Sequence, residues 1–157
     1  MEKRKLYVLV GVPASGKSTW AKSQEWFDDC AYISTDKYVE EWAESVGKTY
    51  SEVFEEYMPI AVARMAGAVN GARDAGKDII WDQTSTSIAS RARKFRMLPD
   101  YYKIAVVFKT PEKEELARRL ASRPGKIIPQ NVVEQMAFDL SVEPPSVEEG
   151  FDEIWFN

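Results

Sequence analysis

Gly11-Val12-Pro13-Ala14-Ser15-Gly16-Lys17-Ser18 is the stretch on which the reading of this 157-residue chain turns. It has the form G-x-x-x-x-G-K-[ST], follows the apolar run Leu6–Val10 and precedes residues with helical spacing. The glycines permit a tight turn in which successive backbone N–H groups converge on an anion at a helix mouth. Gly11, Pro13, Ala14, Ser15, Gly16 and the trailing Thr19 are therefore expected to cradle the phosphates of ATP or another nucleoside triphosphate. Lys17 is expected to reach the β- and γ-phosphates, and the Ser18 hydroxyl to ligate Mg²⁺.

Working outward, Leu6–Val10 reads as a strand covered on both faces, as in a parallel sheet, with a helix from Lys17 to about Phe27. Ala31–Ser34, Asp78–Asp82, Lys103–Lys109 and Glu153–Phe156 are the other strand candidates. Between Tyr38 and Ala75 the composition is helical, broken at Gly47, with Ser51 as a second N-cap and Pro59 predicting a kink or boundary. Ala61, Ala66, Ala68 and Ala72 form a small-residue face, and Gly76 is a stop. Thr86 is the expected N-cap of a helix to about Leu98. Thr110 and Pro111 should open one that ends near Arg123, and Pro129 another through about Leu140. This alternation predicts an α/β three-layer fold with a mostly parallel five-stranded sheet. The expected organisation is one P-loop domain over residues 1–157, with a helical lid around 116–130.

Composition removes several chemistries. With no histidine, a Ser-His-Asp or Cys-His nucleophile and a His-ligated zinc are excluded, and the lone Cys30 leaves no internal disulfide. Any general base must be Asp, Glu, Lys or Tyr. The net charge is −4, yet between Arg91 and Lys126 eleven Lys/Arg stand against four Asp/Glu, which points to an anion site. No apolar run approaches the ~20 residues of a bilayer span, and the N-terminus lacks the form of a secretory signal. No membrane contact and a cytoplasmic setting are expected, and an oligomer is compatible with the sequence.

Three further positions stand out. Asp82 ends an apolar strand, a Walker-B-like place beside the metal or its waters. Asp36 follows the second strand, so it should share the carboxyl edge of the sheet with the P-loop, and it is the first candidate for general base. Arg119 and Arg123 lie four apart on one helix face and could clamp transferring phosphates. Arg91, Arg93, Lys94 and Arg96 follow the Asp82 loop as candidates for an acceptor-phosphate track.

Four stretches, Gly11–Ala21 (GVPASGKSTWA), Ser34–Tyr38 (STDKY), Ile80–Thr86 (IWDQTST) and Leu116–Pro129 (LARRLASRPGKIIP), together resemble the bacteriophage-type polynucleotide 5′-hydroxyl kinase domain. More broadly, they resemble the zeta-toxin-like P-loop kinases. The resemblance implies the sheet order 2-3-1-4-5 and transfer of a γ-phosphoryl group to the 5′-hydroxyl of single-stranded DNA or RNA. A phage-encoded chain would work in the host cytoplasm. It also implies Asp36 as base, Lys17 and Ser18 as phosphate and Mg²⁺ residues, and Asp82 as a metal- or substrate-side carboxylate. Arg123 would be the lid arginine, and Ile128 with Pro129 the apolar pair against the terminal base. Thr84 and Arg91 are counted with the acceptor site. One position departs from the family: its acceptor-contacting arginine three residues after the base is Val39 here, leaving Lys37 or Arg91 to replace it. Two other readings are a kinase of a small-molecule hydroxyl (sugar, nucleoside or antibiotic) and an inactive NTP-binding module.

Overall fold

The computed structural model describes residues 2–157. Side chains alternate across β1 (Lys5–Val10), so Leu6, Val8 and Val10 face one side while Tyr7 and Leu9 face the other. Both sides are covered, which explains a strand with no polar alternation. Its neighbours are β3 (Asp78–Asp82) and β4 (Tyr102–Val107), with β2 (Cys30–Ile33) and β5 (Glu153–Phe156) at the edges. The sheet order is β2-β3-β1-β4-β5, as expected, and every pairing is parallel. Because β1 has a later strand on each side, the loop after it leaves at the point where the chain order diverges, where open α/β sheets bind ligands.

Among the described residues there are six α-helices: α1 (Lys17–Ser23), α2 (Thr35–Val46), α3 (Tyr50–Asp74), α4 (Ile88–Met97), α5 (Lys113–Ala121) and α6 (Gln130–Val142). One core joins Leu6, Val8, Val10, Ile79 and Trp81 to Met65, Val69 and Ala72 of α3. The opposite core joins Tyr7, Leu9, Ile80, Ile104 and Val106 to Ala21 of α1 and to Phe108. A third cluster, Val39 and Ala43 against Val53 and Ala61, glues α2 to α3.

Several boundaries differ from the sequence expectation. Helix α1 stops at Ser23 rather than Phe27: Gln24 turns extended, and Trp26 stacks on Tyr7 with ring centroids 4.5 Å apart. Thr49, not Ser51, caps α3, in a reciprocal box with Glu52. The helix then runs unbroken through Pro59. Its buried stripe is Val53, Tyr57, Ala61, Met65, Val69 and Ala72, mixed in size rather than all small. Ser87 replaces Thr86 as the α4 cap because Ser90 answers it from the third helical position. Thr110 and Pro111 lie outside any helix, so α5 opens only at Lys113, and β4 ends at Val107. Among the described residues no helix is long and apolar enough to cross a membrane.

Candidate active site

Three parallel strands deliver three chain segments to one edge: the loop after β1, the start of α2 after β2, and the end of β3. In the first, Ala14 and Gly16 both adopt left-handed backbone, with φ of 64° and 101°, which folds the loop into a concave turn ahead of α1. Gly11 is required by contact: a Cβ there would lie 2.6 Å from Ser15 Oγ and 3.0 Å from Phe108 Cβ. Pro13 is buried beneath the turn and Thr19 is exposed beside it. Ser15 Oγ is buried without a hydrogen-bond partner, an orphaned donor in a loop built for an oxyanion.

Lys17 Nζ lies within the concavity and donates to the carbonyls of Gly11 and Val12 at 3.0 and 2.9 Å. Burial lowers its pKa to about 8, opposed by Asp82 and Asp36 and assisted by Arg123 and Lys126. One lysine thus senses both expected carboxylates and the lid cations. The Ser18 hydroxyl donates to Asp82 Oδ2 at 2.6 Å. Two hard oxygen donors side by side fit Mg²⁺, which takes few protein ligands and fills its octahedron with water and phosphate oxygens. Among the described residues no cluster of three or more acidic, Cys or His side chains offers an all-protein cage.

The Asp36 carboxylate has both oxygens engaged. Tyr50 Oη donates to Oδ1 at 2.6 Å, and Lys126 Nζ donates to Oδ2 at 2.9 Å. Burial pushes this carboxyl up, but Lys126, Tyr50 and Lys17 outweigh it and hold Asp36 below the ordinary carboxylate range. The side chain is still 48% exposed, so it faces an open mouth rather than a sealed pocket.

The lid residues divide. Arg119 donates through Nη1 to the Ala14 carbonyl at 3.1 Å and through Nε to Glu115 at 2.9 Å, fastening α5 to the P-loop. Arg119 and Arg123 line a groove of about 510 Å³ with Thr19, Trp20 and Asn157. A second groove of about 440 Å³ lies on the other side of Arg119, between Ser15, Lys109 and Pro111. Ile128 is half-buried and Pro129 exposed on the lid loop, next to Ile127, which is 79% exposed. Thr84 uses its carbonyl to accept from Gly11 N at 3.0 Å, bracing the P-loop from behind.

Arg91 is where the sequence expectation fails. Its side chain is 0% exposed and cannot meet an acceptor. Its guanidinium donates to Glu149 at 2.6 and 3.1 Å, to the Glu143 carbonyl at 2.7 Å and to the Ser85 carbonyl at 3.0 Å. Four acceptors match its planar fork and strap the acidic tail to the loop after β3. Lys94 is buried too, 5.3 Å from the centre of the Trp81 ring. Only Arg93 and Arg96 of that group stay exposed. Val39 is buried between α2 and α3, and Lys37 is exposed.

Three site residues have no local signal in the sequence. Tyr32 donates a short hydrogen bond to Asp82 Oδ2 and lies 3.4 Å from Ser18 Oγ, so two hydroxyls hold one carboxylate. Tyr50 reaches Asp36 from the first turn of α3, 14 residues away. Lys126, the last residue of the basic segment, pairs with Asp36 and lies 3.7 Å from Glu40.

A family model described as an AAA domain matches residues 6–142. A solved chain of the Pnkp1/Rnl/Hen1 RNA repair complex superposes with a TM-score of 0.68 at 23% identity, covering 97% of this chain. This chain spans 47% of that chain's length. A gluconokinase from Sinorhizobium meliloti 1021 gives 0.56 at 16% identity, covering 99% of this chain and 83% of its own. Shikimate kinase from Acinetobacter baumannii gives 0.57 at 19% identity, covering 96% and 82%. No curated protein matches the sequence. The fold is that of P-loop kinases, and a chain of an RNA repair complex and two small-molecule kinases stand among its neighbours.

Proposed function

This chain belongs to the AAA domain family, and from that premise we propose that it is a P-loop kinase acting on a polynucleotide. It would move the γ-phosphoryl group of ATP or another nucleoside triphosphate to the 5′-hydroxyl of single-stranded DNA or RNA. The observation that carries this reading is the convergence of Lys17, Ser18 with Asp82, and a half-exposed Asp36 at one sheet edge. In the loaded site Lys17 would exchange the Gly11 and Val12 carbonyls for phosphate oxygens, while the loop amides and the Ser15 hydroxyl donate to the same anion. Ser18 and Asp82 would hold Mg²⁺, which when bound neutralises charge on the phosphates. Asp36 orients the acceptor hydroxyl and takes its proton as the acceptor oxygen bonds to the γ-phosphorus. The β–γ phosphate bond breaks and its electron pair leaves with the nucleoside diphosphate. Arg123, lining the groove beside the P-loop, is the arginine suited to the charge on the transferring group.

The open mouth and the apolar lid segment Ile127-Ile128-Pro129 support an acceptor that extends beyond the site. A terminal base could rest on that surface. One observation favours a second reading: burial of Arg91 and Lys94 thins the basic track, which suits a small neutral acceptor such as a sugar. A screen of labelled γ-phosphate transfer to 5′-hydroxyl DNA, 5′-hydroxyl RNA, nucleosides and sugars decides between them. Transfer to oligonucleotides, with binding that weakens steeply with salt, is the expected result, and Lys17→Ala should abolish it. Transfer to a small hydroxyl compound alone overturns the polynucleotide reading. No turnover with any acceptor would leave an inactive NTP-binding module.

A further inference from the structure

The lid loop does not merely lie near Asp36; it is seated on α3. The Ser51 N–H in the first turn has no partner within the helix, and it donates to the Gly125 carbonyl at 3.0 Å. Ile127 N donates back to Ser51 Oγ at 2.7 Å. Gly125 permits the seating, since its φ is +69° and a Cβ would lie 2.7 Å from Thr49 Cβ. Between these two anchors stands Lys126. Its ammonium lies 4.4 Å from the centre of the Tyr50 ring and 2.9 Å from Asp36 Oδ2, and the Tyr50 hydroxyl takes Oδ1. Lys126, Asp36 and Tyr50 therefore close a ring of contacts that exists only while the loop is seated. The same lid carries Arg119 and Arg123 to the P-loop.

We propose that Lys126 is a positioning residue that ties the state of Asp36 to the docking of the lid. With Gly125 and Ile127 on Ser51, the ammonium holds the carboxylate ionised and aimed; with the lid lifted, that hold is lost. Since the lid also reaches the nucleotide groove, the base would be set only when the phosphate side is closed, which disfavours a proton transfer before the donor is in place. The inference rests on Asp36 being the base.

The groups facing Asp36 are Lys126 from the lid, Tyr50 from α3, Lys17 from α1 and Tyr32 from β2, while Arg123 of the lid and Glu40 of α2 face its partners Tyr50 and Lys126. Removing Lys126 leaves burial opposed only by Tyr50 and Lys17, so the carboxyl should titrate at higher pH. The experiment is a titration of the Asp36 side-chain carboxyl by NMR in the intact protein, for wild type, Lys126→Met, Lys126→Arg and Gly125→Ala. Wild type and Lys126→Arg should titrate below the ordinary carboxylate range, and Lys126→Met above them. Gly125→Ala should move the same way as Lys126→Met although Lys126 remains, because the added methyl unseats the loop. The acid limb of kcat/KM should follow: on the acid side of both midpoints, a midpoint about one pH unit higher lowers the ionised fraction about tenfold. An Asp36 titration unmoved in Lys126→Met overturns the proposal. A Gly125→Ala protein that titrates like wild type overturns the coupling to the lid. The titration reads Asp36 without turnover, so a wild type inactive on every acceptor refutes the kinase reading and leaves this result standing by itself.

Discussion

Lys17 directs its ammonium close to home, at the carbonyls of Gly11 and Val12, in a buried position where Arg123 and Lys126 add to the cost of its charge. Its pKa of about 8 has a measurable consequence. A triphosphate brings negative charge to the ammonium and raises that value, so binding near pH 8 should take up protons and weaken as pH rises through this range. Calorimetry in buffers of differing ionisation enthalpy should show uptake near pH 8 and almost none near about pH 6, where Lys17 is already charged. Uptake that persists in Lys17→Ala would assign the proton to another group. Asp36→Asn keeps the side-chain shape and removes the proton acceptor. It should cut transfer by about 10²–10⁴ and leave nucleotide affinity nearly unchanged. A loss below about tenfold would place the base elsewhere.

At the scale of elements, the start of α3 does two jobs. Thr49 Oγ accepts from Glu52 N at 3.2 Å, and Glu52 accepts from Thr49 N at 3.0 Å, so the helix is closed by its own cap. Ser51, freed from capping, receives the lid. Thr49→Ala removes the box and should lower stability by about 1 kcal/mol, read as a lower urea midpoint at unchanged slope. An unchanged midpoint would mean the lid contacts alone hold this turn. Local sequence does not separate the two hydroxyls, because Thr49-x-x-Glu52 and Ser51 lie within two residues of each other. Either satisfies the capping preference, and only the tertiary contact at Ile127 distinguishes them. The same competition moves the α4 cap from Thr86 to Ser87, where Ser90 closes the reciprocal box.

Across the whole molecule, the acidic tail and the basic segment after β3 meet in one buried ion pair. Arg91 and Glu149 side chains are 0% and 6% exposed, and the pair spans 58 residues of sequence. Arg91→Met leaves the Glu149 carboxylate buried without its partner and should cost about 3–5 kcal/mol. Against a total of about 5–15 kcal/mol for a domain, that loss should appear as a large drop in the thermal midpoint. Adding Glu149→Leu should recover only part of it: the unpaired buried charge is gone, but the Ser85 and Glu143 carbonyls still lack their donor. A single variant that costs less than about 1 kcal/mol would show that the strap is held by other contacts.

Short-range chemistry is legible in the order of the residues alone. The glycine spacing of residues 11–16, the apolar runs of β1 and β3, and the alternation of strand and helix act within a few residues of each other, so the P-loop, the strands and the α/β layering can be read directly. Lys17, Ser18, Asp36 and Asp82 can be read as well, since each stands at the end of a strand or in its following turn, and parallel strands bring such ends to one edge. The partners of long charged and aromatic side chains cannot. By sequence Arg91 is a free cation on a helix face, and Lys126 one more basic residue of a loop. Their roles depend on Glu149 at 58 residues' distance and Asp36 at 90. No periodicity carries information over such separations. A guanidinium or ammonium pairs with whichever carboxylate the packed layers bring within reach, and only the assembled sheet, with α3, the lid and the tail in place, decided which those were.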